Sequence, residues 1–229
     1  MVNTLPQGLT IPPLENGDRL HRVEFERRYQ AMPKQTKAEL VEGVVYMASP
    51  VRSQSHGQPH AAIMAWLGAY WAATPGTDLN DNATVRLDAD NEPQPDACLR
   101  LETSAGEQSR LSDDDYIEGA PELVVEIAAS SAALDLHTKK TIYRRNGVQE
   151  YIVWQVLDHK LDWFWLTAGD YLSLTADDAG LIKSQVFPGL WLACEDLVNK
   201  NLQSVLATVQ AGTGSREHAA FLAKLAAYQ

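Results

Sequence analysis

The spacing of hydrophobic positions changes along the chain, and the change predicts alternating strands and helices. Residues 123–128 (LVVEIA) form a continuous apolar run that contains one acid, which is typical of a strand buried on both faces. A helical pattern follows and ends at Gly147, a suitable helix stop. A second apolar run begins at Tyr151. Residues 121–154 are therefore predicted to form a strand–helix–strand unit with Glu126 inside its first strand.

The rest of the chain also alternates between short strand patterns and helical patterns. Residues 38–48 indicate a hairpin that turns near Glu42, and residues 59–73 predict a helix that is apolar nearly all round and therefore buried. The last helix is amphipathic and suits packing on a partner subunit. Other predictions are strands near 83–87, 95–101, 161–166 and 170–174, helices at 19–31, 197–210 and 217–228, and loops at 49–58 and 103–115.

The helix after Glu126 carries two adjacent lysines, of which one falls in the apolar stripe. At about 100° per residue, Lys139 lies in the middle of that stripe, whereas Lys140 points about 100° away from it. A lysine on a buried face is rare unless it is paired or has a chemical role. Asp135, four residues before Lys139, offers an ordinary ion pair as a second explanation, and the two explanations can hold together.

The acid within the apolar strand needs a partner, because an ionised carboxylate is costly to bury without a cation. Asp96 begins another short strand, so Asp96 and Glu126 can share a Mg²⁺ ion if the two strands are adjacent. Such an ion polarises a phosphoryl group and lowers the pKa of bound water. Lys139 can then orient that water or stabilise charge in the transition state. These three residues predict a metal-dependent hydrolytic site.

Composition sets limits on this interpretation. The chain has 229 residues, with 19 basic and 30 acidic side chains and a formal charge of -11. This charge argues against tight, non-specific binding of polyanions, because counterion release requires clustered lysine and arginine. The two cysteines stand far apart and predict reduced thiols in a cytoplasmic protein. A secretion signal and a membrane-spanning segment are not expected from the apolar runs.

Five stretches form a recognisable set: PELVVEIAASS, DLHTKKTIYRRNGVQEYIVW, VFPGLWL, AELVEGVVYMASP and PQPD. They resemble the motifs of the Uma-type restriction endonuclease family, long described as a domain of unknown function, within the PD-(D/E)XK nuclease superfamily. The likeness extends from about Phe25 to the C-terminus and is strongest over residues 121–192. It implies an α/β fold of the restriction-endonuclease type, in which a mixed β-sheet is flanked by α-helices, with a C-terminal helical extension.

The resemblance also implies roles for individual residues. In the superfamily, the aspartate of the PD motif and a strand glutamate bind the metal, and a lysine lies two residues after the glutamate. Asp96 and Glu126 match the two acids, but Ala128 stands at the lysine position, so the strict motif is broken. In families of this type the lysine has moved to the following helix, where Lys139 stands. Asp96, Glu126 and the main-chain carbonyl of Ile127 are thus implied ligands of Mg²⁺ or Mn²⁺.

Three further side chains are candidates for supporting roles. Glu42, like Glu39 in the same segment, is a candidate third acidic ligand, with an exposed turn acid as the alternative. His56 matches a family histidine and could approach a phosphate, with a capping or structural histidine as the alternative. Gln155 could support the lysine. His56 and His60 do not predict zinc, because HExxH is absent.

These features together predict a cytoplasmic, Mg²⁺-dependent endonuclease that acts on nucleic acid, DNA rather than RNA. A homodimer is expected, because double-strand cleavage needs two sites and symmetric pairs are the commonest oligomers. Two alternatives stay open: a non-catalytic nucleic-acid-binding or interaction module, and a hydrolase of a small phosphorylated substrate, which suits an acidic protein. The predicted organisation is an arm at 1–18, a nuclease domain at 19–192 and a helical extension at 193–229.

Overall fold

A six-stranded mixed sheet lies at the centre of the computed structural model, which describes residues 11–48, 50–102, 108–129 and 131–227. The strands are β1 (Ala38–Val41), β2 (Val44–Met47), β3 (Thr77–Asp81), β4 (Val85–Arg86), β5 (Ala97–Leu101), β6 (Ser109–Leu111), β7 (Ile117–Gly119), β8 (Leu123–Ala128), β9 (Glu150–Gln155), β10 (Lys160–Thr167), β11 (Asp170–Ser173), β12 (Leu181–Lys183) and β13 (Trp191–Ala193). The helices are α1 (Arg22–Tyr29), α2 (Gln58–Ala73), α3 (Lys140–Asn146), α4 (Cys194–Val198), α5 (Leu202–Thr213) and α6 (Arg216–Ala226), with π-helical segments at Ser53–Gly57 and Leu134–Lys139.

The central sheet has the spatial order β11-β10-β9-β8-β5-β3. Its neighbouring strands are antiparallel except β8 and β9, which are parallel. A parallel pair needs a crossover connection, and α3 supplies it. The mixed sheet with flanking helices confirms the predicted fold class, and the strand–helix–strand unit is present with Gly147 in a left-handed conformation (φ 87°) after α3.

Strand β8 is buried on both faces, which explains its continuous apolar run. Leu123, Val125 and Ile127 face the larger core, which includes α2 and α5. Val124 and Ala128 face the second core on the α3 side of the sheet. Because side chains alternate along a strand, Glu126 points to the α3 side, towards the helix that carries the two lysines.

Two segments predicted as loops contain regular structure. Ser53–Gly57 is π-helical and leads directly into α2, because Gly57 adopts helical dihedral angles and Pro59 falls in the first turn, where a missing N–H is harmless. Within 103–115, strand β6 pairs with β7, while residues 103–107 lie outside the described residues. Ser130, which like Ser131 suits the N-cap of the helix after β8, also lies outside them.

The C-terminal helices pack on their own chain. Val205 and Val209 of α5 are fully buried in the larger core. In α6, the buried His218 contacts Thr74, with Nε2 2.9 Å from the hydroxyl oxygen. Within the part of the chain that the structure describes, none of the helices has the length and apolarity needed to cross a membrane.

Candidate active site

The candidate site begins where β5 and β8 separate. Their antiparallel pairing ends at Ala97 and Val125, and one residue further along the same register Asp96 faces Glu126. There the carboxylate of Asp96 takes the place of a strand partner, because its Oδ2 accepts a hydrogen bond of 2.7 Å from the main-chain N–H of Ile127. The adjacency of the two strands, on which the metal prediction depended, is therefore present.

Lys139 reaches Glu126 from the helical crossover. Its Nζ lies 3.0 Å from Glu126 Oε1, 2.9 Å from Glu39 Oε2 and 3.9 Å from Asp135 Oδ1. Only 4% of Lys139 is exposed, as the helical arithmetic predicted for this lysine. The alternative pair with Asp135 is also present, but it is the longest of the three contacts.

Two π-helical segments deliver side chains to the site. Ser53–Gly57 carries His56, and Leu134–Lys139 carries Asp135 and Lys139. A π-helical turn contains more residues than an α-helical turn, and such turns are frequent at functional sites. Both segments therefore depart from regular helix at the point where they meet the same group of side chains.

Tyr143, one turn after Lys139, is a partner that sequence reasoning missed. Its hydroxyl donates a 2.8 Å hydrogen bond to Glu126 Oε1, the same oxygen that Lys139 contacts. No described residue donates a hydrogen bond to the other oxygen, Oε2. The sequence placed Tyr143 in the apolar stripe, and the need of a buried phenol for an acceptor was the signal that could have identified it.

The electrostatics of the site are dominated by burial and by surplus negative charge. Burial raises the pKa of Glu126 well above its usual range; Lys139 opposes this shift, while Asp135, Asp96 and Glu39 add to it. Burial lowers the pKa of Lys139, but its three carboxylate neighbours outweigh burial, so its pKa is raised and it stays charged. Three carboxylates around the ammonium of Lys139, with Asp96 adding negative charge near Glu126, form an environment that attracts a further cation.

His56 and His60 both contact Asp96, but in different ways. His56 Nε2 lies 3.0 Å from Asp96 Oδ1, and this hydrogen bond raises the pKa of His56 despite partial burial. His60 Nε2 lies 2.9 Å from the main-chain oxygen of Asp96 and 3.1 Å from Asp81 Oδ1. His56 thus orients the carboxylate, and His60 fixes the backbone that carries it.

The structure brings Glu39, and not Glu42, to the lysine. Glu42 occupies the hairpin turn with φ 52°, pairs with Arg145 at 2.7 Å, and lines a separate groove of about 660 Å³ with Lys140. Glu39 alternates in β1 with residues of a small apolar core, and this alternation points it to the other face.

Gln155 makes its hydrogen bond to a residue other than the lysine. Its side chain is largely buried at the end of β9, and Nε2 donates a 2.6 Å hydrogen bond to Asp162 Oδ2 on the neighbouring strand β10. The side chain of Gln155 therefore joins two strands of the sheet.

The site opens into a cavity of about 650 Å³. Its lining includes Glu39, Asp96, Glu126, Ile127, Asp135 and Lys139. Within residues 11–48, 50–102, 108–129 and 131–227, no three His, Cys, Asp or Glu side chains form a complete metal-binding cluster. Mg²⁺ does not need one, because it commonly uses one or two carboxylates and fills its shell with water and substrate phosphate. Two carboxylates, the carbonyl of Ile127 and the surplus negative charge fit such an ion.

Comparison with known proteins identifies the family of the chain. The profile of the Uma2 family, described as "Putative restriction endonuclease", matches residues 22–195, which is more than half of the chain. The chain belongs to the Uma2 family. The membership supports a nuclease, with nucleic acid as its class of substrate.

One solved structure similar to this Uma2 protein is that of a "putative nuclease belonging to DUF820" from Anabaena variabilis ATCC 29413. The TM-score is 0.55 at 8% identity, and the match covers 80% of this chain and 97% of the other. At that identity the likeness shows a shared fold. No curated protein matches the chain.

Proposed function

We propose that this Uma2 protein is a divalent-metal-dependent endonuclease that hydrolyses phosphodiester bonds of DNA. The observation that carries the proposal is the meeting of Asp96, Glu126 and Lys139 at the separating ends of β5 and β8, on one cavity. Asp96, Glu126 and the main-chain carbonyl of Ile127 would hold Mg²⁺ or Mn²⁺. Such an ion would polarise the phosphoryl group and lower the pKa of a bound water molecule.

Lys139 has one donor left for the reaction. An ammonium group offers three donors, and Glu126 and Glu39 lie within hydrogen-bonding distance of it, whereas Asp135 at 3.9 Å does not. The remaining N–H can orient the attacking water or contact a phosphate oxygen as negative charge develops. The surrounding carboxylates keep Lys139 protonated, so its role is that of a charged donor and not of a base.

The carboxylates of Glu126 and Asp96 are each held in place by hydrogen bonds. Tyr143 and Lys139 fix Oε1 of Glu126, which leaves Oε2 for a ligand. His56 and the N–H of Ile127 fix the two oxygens of Asp96, each of which keeps a further lone pair for a metal ion. Both carboxylates are therefore oriented before any substrate arrives.

A nicking assay on supercoiled plasmid with Mg²⁺ or Mn²⁺ tests the proposal. Asp96→Asn, Glu126→Gln and Lys139→Met should each lower the rate by about 100-fold or more, since each removes a group that acts on the reacting phosphate. Glu42→Gln and Lys140→Met are matched controls, because both residues line the separate groove. Equal nicking by all six proteins, wild type included, would identify a contaminating nuclease and contradict the proposal.

Two finer expectations belong to the same proposal. The homodimer is a prediction from the need for two sites in double-strand cleavage, and light scattering after size exclusion measures the oligomeric state.

Chelation of divalent ions with EDTA should abolish nicking, and added Mg²⁺ or Mn²⁺ should restore it. Nicking that persists in EDTA contradicts metal dependence.

A further inference from the structure

The rim of the cavity differs from its floor in the kind of side chain it presents. Val51 and Leu157 are 69% and 68% exposed, among the most exposed large apolar side chains of the described residues, and both line the cavity. They come from separate connections, one after β2 and the other after β9. The half-buried Tyr46 of β2 lines the same cavity. One exposed aliphatic residue is ordinary, but these three residues line the same cavity as the acidic side chains.

Two cations stand among these apolar residues. Lys37 and Arg52 are exposed and line the cavity, and neither forms an ion pair with a carboxylate of the described residues. Elsewhere, Arg86, Arg100 and Arg145 are each engaged by at least one carboxylate. The cations at the rim are therefore free to meet the phosphates of a ligand.

The number of rim cations limits the kind of nucleic acid that fits. A protein with a formal charge of -11 and two available cations at its site gains little from counterion release along a duplex. The apolar and aromatic side chains that line the cavity must then contribute to the binding free energy. Such side chains bind nucleic acid by contacting the faces of bases. In a duplex those faces are stacked on one another, whereas unpaired bases offer them to aromatic and apolar side chains.

We infer that the cavity engages unpaired nucleotides of a DNA strand. Lys37 and Arg52 contact phosphates on either side of the scissile bond, and Tyr46, Val51 and Leu157 contact base faces. The chemistry at the floor rests on the proposed nuclease function, but recognition at the rim does not. One chain is sufficient to bind a single strand.

Fluorescence anisotropy tests the inference with a labelled oligonucleotide that is used either single-stranded or annealed to its complement. Ca²⁺ replaces Mg²⁺, and a gel verifies that the oligonucleotide stays intact. The single strand should bind at least about tenfold more tightly than the duplex. Tyr46→Ala and the double change Val51→Ser with Leu157→Ser should each weaken single-strand binding about tenfold. The matched control is Val23→Ser with Leu172→Ser, which changes two exposed residues away from the cavity and should leave binding unaltered.

Salt dependence provides a second measurement. Two phosphate contacts on a single strand predict a slope of log K against log salt of about -1.4, and Lys37→Gln with Arg52→Gln should bring it close to zero. Equal or tighter duplex binding overturns the inference, as does a rim double variant that binds like the control. Plasmid nicking without a preference for single-strand binding contradicts this inference and leaves the proposed nuclease activity supported. Single-strand preference without any cleavage supports it and counts against the proposed nuclease activity.

Discussion

Lys139 and Arg86 are both buried cations surrounded by carboxylates, yet their surroundings differ in one decisive respect. Their side chains are 6% and 7% exposed, and each has several acidic neighbours. Lys139 lines a cavity of about 650 Å³, whereas Arg86 lines neither of the two cavities described above. A cluster of charges is therefore not by itself a site, and access for a ligand separates the two.

The Arg86 cluster is held together by contacts within the chain. The guanidinium makes two parallel 2.8 Å hydrogen bonds to Asp114, lies 2.8 Å from Glu26, and stacks over the ring of Tyr116 at 4.3 Å. Bidentate pairing of this kind fixes the geometry of the arginine. The cluster joins α1 to the three-stranded sheet and therefore stabilises the packing of these two elements.

The Lys139 cluster leaves groups unused. One ammonium donor and Oε2 of Glu126 have no hydrogen-bond partner among the described residues, and both residues line the cavity. The same balance of charges therefore serves stability in one place and offers chemistry in the other.

The largest effect is expected from removing the two cations in turn. Lys139→Met should lower the cleavage rate about 100-fold or more. Arg86→Met should leave the cleavage rate per folded molecule unchanged, but lower the free energy of unfolding by about 3 kcal/mol, because several carboxylates, including the buried Glu92, lose their cation. Plasmid nicking and urea denaturation measure the two quantities. A large loss of cleavage in folded Arg86→Met protein would remove the distinction.

The second effect concerns the pH dependence of stability in the Arg86 cluster. Burial, reinforced by Glu26, raises the pKa of Glu92 from 4.5 to about 8. The folded state then retains a proton that the unfolded state releases, so stability falls as pH rises from about 4.5 to about 8. The free energy of unfolding can change by at most about 1.4 kcal/mol for each unit by which the pKa is shifted. Glu92→Gln should flatten this dependence in urea denaturation between pH 6 and 9, and an unchanged slope argues against the raised pKa.

A smaller effect is expected from the phenol that holds Glu126. Tyr143→Phe removes one hydrogen bond from Oε1 and keeps the ring, so the affinity for Mn²⁺ should fall about tenfold. Electron paramagnetic resonance of free Mn²⁺ measures this affinity without any cleavage. Tyr171→Phe is the control, because that phenol donates to the main-chain oxygen of Val148 away from the site. Equal Mn²⁺ affinity in both variants would show that Tyr143 does not position the ligand.

The smallest effect at the site is expected for Asp135, because its oxygen lies 3.9 Å from Lys139. Asp135→Asn should change the cleavage rate less than about threefold, whereas Glu39→Gln, which removes a charged partner at 2.9 Å, should lower it more. Cleavage rates of the two variants under identical metal concentrations compare the contacts. The reverse order would support the simple ion pair between Asp135 and Lys139.

Sequence patterns predicted the parts of the site that depend on local periodicity. The apolar run around Glu126 identified a strand buried on both faces, and the angular position of Lys139 pointed it inward although the segment is π-helical. Asp96 was a candidate only if its strand lay beside that of Glu126, and the family resemblance supported it, because a short strand start carries no periodic signal of its own.

The parts that the sequence left open depend on contacts between distant segments. Glu39 and Glu42 are three residues apart in one hairpin, and only the docking of that hairpin against the crossover decides which acid meets the lysine. The hydroxyl of Tyr143 was hidden by the apolar character of its ring. The two π-helical turns have no distinct local composition, so spacing rules for α-helices could not reveal them.

An anomalous difference map from crystals soaked in Mn²⁺ tests the metal site itself, because it locates the ion without requiring turnover. The predicted result is a peak in contact with the carboxylates of Asp96 and Glu126 and the carbonyl oxygen of Ile127, and its loss in Glu126→Gln crystals. A map in which Mn²⁺ avoids these three groups, or lies instead among the carboxylates around Arg86, would contradict the account.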